Sequence, residues 1–481
     1  MASYNLLNEG WIPVITEQGQ REFLGIREVL RRAHELRAVS DASPMVEYGL
    51  YRFLGLFLMD ALRPEDSIAL EDLLDAGRFD MAAIDDYIRL CQREGVSFDL
   101  FDKERPFLQS AYDEALDSKA RRPVQALDYT VPSGNNHTHF EHRSSQEMAV
   151  SYGEAARLTL AGLLFCTAGA QDYPSGVNAS PPYFTVIRGK NLFETLCYTL
   201  IPLELIDIAF DSPPVLWRLK APVIPKEKVT ETSWLLGMLF PTRRITLIPD
   251  EEQNCVRELY LSQGMNFTSK EAWTDPCVIY RCTEKGRIPL RPNKGKAIWR
   301  NLNELIDVPG RQAPLVLHVY EELHRERTVK IMLYGVETSN ASYLQTMRHT
   351  LTIPLVLSED PERIQMVRNL IAAAERVAAS LKNALASSKA IPEQLVAEAA
   401  QQYYNGCEQQ LWQAVFGELA ADSADFQKIY VAWIDELLQN AKEAHRTAVQ
   451  RLKVKAAALA KIAKDERLIY TEIKKLKEGL A

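Results

Sequence analysis

Three of the chain's eight histidines, His137, His139 and His142, fall within SGNNHTHFEHRSSQ (133–146). On an extended segment residues i and i+2 share a face, so His137, His139 and Glu141 are able to converge on one metal ion. Histidine and carboxylate are ligand types that zinc accepts, and the chemistry such a site implies is metal-dependent hydrolysis. Two features weigh against it. SGNN is turn chemistry, which places the histidines on a loop instead of a rigid strand. No second ligand cluster accompanies them, since His318 and His349 stand alone. A loop that contacts a partner and a plain surface loop are the other two readings. Cys277 and Cys282 fall short of the four ligands that a zinc ribbon needs, and no CxxC occurs.

Other chemistry is scarce. The chain has no GxxxxGK[ST], no GxGxxG following a strand and no GxSxG. No carboxylate pair or Ser/His/Asp set is singled out. Three polar loops remain. QDYPSGVNASPPY (171–183) carries Gly176, Asn178, Ala179 and Ser180 between prolines, and side chains this small let a backbone approach a ligand closely. TSNASY (338–343) presents Asn340 after a strand, with an amide that donates and accepts. RCTEKGRIPLRPNKGK (281–296) is basic, with Lys285, Arg287, Arg291, Lys294 and Lys296. Each alone also reads as a solvated turn.

The elements that must position these loops are of two kinds. VEYGLYRFLGLFLMDAL (46–62) and EAARLTLAGLLFCT (154–167) read as buried helices. RRITLIP (243–249) and CVRELYLSQG (255–264) read as a hairpin around PDEEQN; LVLHVYEE (315–322) and TVKIMLYGV (328–336) read as a second pair of strands. Without a βαβ rhythm the class is α+β. From about 361 the texture changes. Ile364, Val367, Ile371, Ala374, Ala378, Leu381 and Leu385 recur at spacings of three and four, which is one helical face. Pro361 suits a first turn. Helical stretches 392–420 and 422–452 follow, the latter capped by Asp422 or Ser423, then a basic stretch to the end. The expected organisation is a mixed domain over 1–360 and an antiparallel four-helix bundle over 361–481.

Composition bounds the rest. The chain has 481 residues and a net charge of −8, which argues against a protein coated in nucleic acid but leaves room for local basic contacts. Residues 441–481 hold eleven Lys or Arg against five Asp or Glu, an asymmetry typical of a nucleic-acid-facing tail and equally of a solvated helix. Seven scattered cysteines suit a reducing cytoplasm. MASYNLLNEGWIPV shows no basic n-region or apolar h-region, so no secretion signal is expected, and no apolar run approaches a membrane span.

In combination, several stretches resemble the large, CasA-type, subunit of type I-E Cascade, a CRISPR RNA-guided surveillance complex. They are the opening YNLLNEGWIPV, the SGNN loop, a small-residue loop leading into TVIRG (185–189), WTDP (273–276) before an EKG turn, AIWRNL (297–302), and SNAS before MRH (347–349). Their order and spacing carry the resemblance over nearly the whole length. It implies a large mixed domain, a C-terminal four-helix bundle, no catalysis and no cofactor. Its implied partners are the 5′ handle of the guide RNA, double-stranded target DNA, other Cascade subunits and a helicase-nuclease, with no membrane.

The resemblance also implies roles residue by residue. Gly176, Asn178, Ala179 and Ser180 match the loop that enters the minor groove beside the target, at the protospacer-adjacent motif (PAM). Ala179 stands where family members use glycine. Lys285 matches a minor-groove lysine. Ser339, Asn340 and Ala341 match a duplex wedge; Asn340 is a methylene shorter than the glutamine of some relatives. Ser133, Gly134, Asn135, Asn136, Phe140, Glu141 and His142 match a loop that contacts guide RNA and neighbouring subunits. Lys453, Lys455, Lys461 and Lys464 are candidates for DNA backbone contacts in the bundle. The zinc region of some relatives has no counterpart, so no metal is expected. A purely structural scaffold in the same complex and the hydrolase on His137, His139 and Glu141 stay as alternatives.

Overall fold

The structure, a computed structural model, describes residues 2–129, 148–167, 173–174, 176–269, 272–284, 286–293, 295–323, 326–339, 342–386, 391–451 and 456–479. Contacts divide the chain into two units, one of residues 1–294 with 313–352 and one of 295–312 with 353–481.

The mixed unit is organised around the helix Pro44–Leu62, in which every residue from Met45 to Asp60 is buried. A helix apolar on all sides belongs inside a core. Pro44 opens it, where the missing N–H costs nothing, and Arg63 closes it in a left-handed conformation. Gly55 is needed for packing, because a Cβ there would collide with Thr199. Three acidic or basic side chains go inside with this helix, and each is paired. Glu47 accepts from Tyr334 Oη (2.6 Å) and Arg348 (2.8 Å), Arg52 pairs with Asp275, and Asp60 meets Arg63 (2.6 Å) and Arg218 (2.9 Å). Buried charges demand such partners.

Around the helix lie the Tyr152–Leu164 helix and short sheets. Ile12–Thr16 is flanked by Arg21–Leu24 and Leu36–Val39. The expected hairpin forms from Arg243–Asp250 and Cys255–Gln263. Thr328–Ser339 and Ser342–Pro354 form a long hairpin whose first strand pairs antiparallel with Phe184–Ile187, Tyr334 opposite Phe184. Leu315–Glu322 is a helix, not the strand its Val and Leu content suggested. Pro314 caps it, and burial of Val316, Val319 and Tyr320 follows helical spacing. The α+β class holds.

In the helical unit, Pro361–Ala386 buries all seven residues of its expected face, and Leu370, Ala373, Val377 and Ala384 widen it. The widening reflects several neighbours, among them Glu393–Trp412, Phe426–Gln450 and Arg467–Glu478. Three details differ from the sequence expectation. Phe426–Gln450 is capped by Asp425, whose carboxylate accepts from Lys428 N at 3.0 Å, and not by Asp422 or Ser423. The basic end is two helices, Ala456–Asp465 and Arg467–Glu478, and Glu393–Trp412 runs on into wide π-type turns over Gln413–Leu419. Among the described cysteines only Cys282 is exposed.

Candidate nucleic-acid interface

The small-residue loop folds into a tight turn. Ala179 N donates to Gly176 O at 3.0 Å, and Ala179 has φ of +59°. That left-handed conformation costs an L-residue about 1–2 kcal/mol, so something outside the turn must hold it. From inside, Asn178 Nδ2 donates to Asp275 Oδ2 at 3.0 Å. The same oxygen receives the Arg52 guanidinium, while Asp275 Oδ1 accepts from Cys277 N at 3.0 Å. Burial alone would lower the Arg52 pKa, but Asp275 beside it more than offsets this and holds it raised. From outside, Arg291 Nη2 donates to Asn178 O (3.1 Å) and Nε to Ser180 O (3.4 Å). The cavity between the turn and the Arg52–Asp275 pair is about 40 Å³, enough for roughly a water or two and too small for a base. Any ligand of this turn therefore meets its outer face.

A short hairpin shares the same anchor. Tyr280–Thr283 pairs with Gly286–Pro289, and Tyr280 Oη accepts from Asp275 N at 2.9 Å. Thr283 lies opposite Gly286, so the connection consists of Glu284 and Lys285. Lys285 itself lies outside the described residues, as does Lys294. Arg287 stacks over the Tyr280 ring at 4.4 Å.

The other loop roots gather where the Tyr152–Leu164 helix ends. A helix leaves its last carbonyls without intrahelical partners. Here Tyr129 Oη donates to Gly162 O (2.9 Å), Tyr343 Oη to Phe165 O (2.6 Å) and Arg243 Nη2 to Thr167 O (2.8 Å). Tyr129 and Tyr343 stack at 4.5 Å with planes 2° apart. Burial raises both phenols, so they stay protonated donors. Arg243 also reaches Pro174 O (3.2 Å) and lies over the Tyr173 ring at 4.1 Å. Tyr129 precedes the segment 130–147, Tyr343 follows the tip of the long hairpin, and Tyr173 and Pro174 lead into the small-residue turn.

The structure thus brings together the roots of three loops singled out in the sequence. The tips are another matter. Ser133, Gly134, Asn135, Asn136, His137, His139, Phe140, Glu141 and His142 lie outside the described residues, as do Asn340 and Ala341. Ser339 is the last residue of its strand. In the basic terminal helices Lys461 and Lys464 are exposed, and Lys453 and Lys455 lie outside the described residues. Among the described residues no three His, Cys, Asp or Glu gather as a metal set, and no helix is long and apolar enough to cross a membrane. Sequence reasoning did not assign roles to Arg52, Asp275, Arg243, Tyr129 and Tyr343. Arg52 carried a usable signal, because a cation inside an apolar helical run needs a buried partner.

Comparison with known proteins agrees with this architecture. A family model described as CRISPR-associated protein Cse1 matches residues 5–452. The CRISPR-associated protein CasA/Cse1 of Thermus thermophilus is 28% identical over 411 residues, 80% of this chain and 77% of that protein. The solved CasA of Thermus thermophilus superposes with a TM-score of 0.78 at 23% identity, covering 98% of this chain and 100% of its own. A chain of a CRISPR RNA-guided surveillance complex superposes at 0.77 with 20% identity, covering 98% and 100%. At such identities the superpositions speak for the fold; the family match over residues 5–452 shows that the chain belongs to the CRISPR-associated protein Cse1 family, the CasA-type large subunits.

Proposed function

We propose that the chain is the non-catalytic large subunit of a cytoplasmic, RNA-guided DNA surveillance complex. It reads the PAM through the minor groove, helps open the duplex and helps recruit a helicase-nuclease. The observation that supports this best is the gathering of the loop roots at Gly162, Phe165 and Thr167, in a chain of this family. Guide pairing supplies target specificity, so the protein needs to read only a few base pairs. The minor groove has a degenerate base code, and a turn of small residues suits a close backbone approach to it. Lys285 would reach base acceptors there, and Ser339, Asn340 and Ala341 would act as the wedge that unstacks the first base pair. Phe140 in the 133–142 loop would stack on an unpaired base of the guide-RNA handle, with Glu141 and His142 beside it. Lys453, Lys455, Lys461 and Lys464 would hold DNA phosphates, with salt-sensitive affinity. A net charge of −8 implies that the isolated chain binds DNA weakly.

The test is a gel-shift titration of guide-loaded complex core, with and without this protein. The target duplexes differ only in the base pairs beside the guide-matched segment. Tighter binding on some flanks only, lost in the Lys285→Ala/Asn340→Ala double variant, is the expected result. Equal tightening on every flank would leave a scaffold or non-specific clamp.

A further inference from the structure

The Gly176–Ser180 turn has little to hold itself. The hydrogen bond from Ala179 N to Gly176 O closes it on a left-handed alanine, and every residue in it is only half-buried. What fixes it comes from three residues remote in sequence. Asp275 takes the Asn178 side-chain amide from below, Arg52 fills the other position on the same carboxylate oxygen, and Arg291 binds the Asn178 and Ser180 carbonyls from the side. Asp275 has no freedom to follow a moving turn. Its second oxygen is held by Cys277 N and its backbone N–H by Tyr280 Oη. Asn178 is committed as well, since its amide donor faces the buried carboxylate.

We infer that Asp275, backed by Arg52, and Arg291 are positioning residues that set how the Gly176–Ser180 turn is presented to the flanking base pairs, with Asn178 as the anchor point and not as a base reader. This rests on the flank-reading function proposed above. Arg291 acts through its planar grip on two carbonyls, which a lysine of equal charge does not reproduce. Asp275 also ties down the Tyr280–Thr283 strand, so the turn and this hairpin share one anchor.

Two variants isolate this from folding and from charge. Asn178→Ala deletes the inward donor but leaves the Arg52–Asp275 pair whole, avoiding the buried unpaired cation that Asp275→Ala would create. Arg291→Lys keeps the charge and loses the two-carbonyl grip. Hydrogen exchange on the full chain reports the turn, and binding by the reconstituted complex across a panel of flanking base pairs reports presentation. Both variants are expected to exchange the Ala179 amide faster and to shrink the ratio of best to worst flank by about tenfold, the order of one base pair's discrimination. The salt dependence of binding should stay at the wild-type slope in Arg291→Lys. If wild type discriminates among flanks and both variants keep its ratio and its Ala179 exchange rate, the inference is overturned while the proposed function stands. A uniform loss on all flanks, with a shallower salt slope in Arg291→Lys, overturns it too, in favour of a phosphate contact. A wild-type complex indifferent to the flanks removes the proposed function, and the inference with it.

Discussion

One ion pair in the mixed unit and one in the helical unit place opposite charges side by side, with opposite consequences. The Arg52 and Asp275 side chains are 2% and 1% exposed, whereas Arg451 and Glu398 on the bundle are 60% and 46% exposed. A buried pair does little for net stability, since desolvation consumes most of the attraction, yet removing one partner strands the other. An exposed pair is screened and exchanges freely with water. The first kind therefore enforces one geometry and the second tolerates many. The enforced geometry lies directly behind the small-residue turn, where position matters. The tolerant pairs lie on helices already specified by their apolar faces.

The largest effect should come from breaking the buried pair. Asp275→Ala is expected to destabilise the mixed unit by roughly 3–5 kcal/mol, against about 1 kcal/mol or less for Arg451→Ala. Calorimetric unfolding of the full chain measures both, and equal effects would erase the comparison. Tyr343→Phe comes next. It keeps the stack on Tyr129 and deletes the hydroxyl that satisfies Phe165 O, at a cost of about 1 kcal/mol, more if the carbonyl finds no water.

Acid should separate the two units. In the mixed unit, burial pushes the Asp117 carboxyl up, but hydrogen bonds from Arg244 and Ser262 outweigh this and hold it below the usual carboxylate range. A depressed carboxylate pKa contributes stability above its unfolded value near 4, lost only as pH falls through the folded one. In the helical unit, burial lowers the His445 pKa, partly opposed by Glu466. The unfolded chain then takes up that proton first, so stability falls as pH drops below about 6.5. Unfolding midpoints measured from pH 8 to 4 should show the helical unit weakening first, and His445→Gln should delay it. Parallel loss in both units would count against the assignment.

What was legible in the sequence followed from periodicity. The Ile364-to-Leu385 face survives intact because a helix on several neighbours buries whatever recurs at three and four. The Leu315–Glu322 segment failed because valine and leucine suit either element, and Pro314 decided it. The loops were found by composition, since Gly, Asn, Ser and Pro betray turns. Their supports were not. Tyr129 and Tyr343, or Arg52 and Asp275, are distant in sequence, and only folding makes them partners. No local pattern marks a phenol that caps a helix carbonyl or a carboxylate that anchors an asparagine.

The smallest change is the most informative about how that anchor works. Ala179 holds φ of +59°. Replacing it with glycine removes a left-handed penalty of about 1–2 kcal/mol, offset by roughly 0.4–1 kcal/mol of extra freedom in the unfolded chain. Ala179→Gly should therefore be slightly more stable, by about 0.8 kcal/mol on these figures, as denaturant midpoints would show. Its effect on flank preference is the sharper question. Asn178, Asp275 and Arg291 all remain, so the turn keeps its anchors and loses only a methyl group. If the anchors set the presentation, the ranking of flanking base pairs should be that of the wild type, even where closer approach strengthens binding overall. A reordered ranking would mean that the methyl of Ala179 itself meets the groove, and that the buried pair merely supports it.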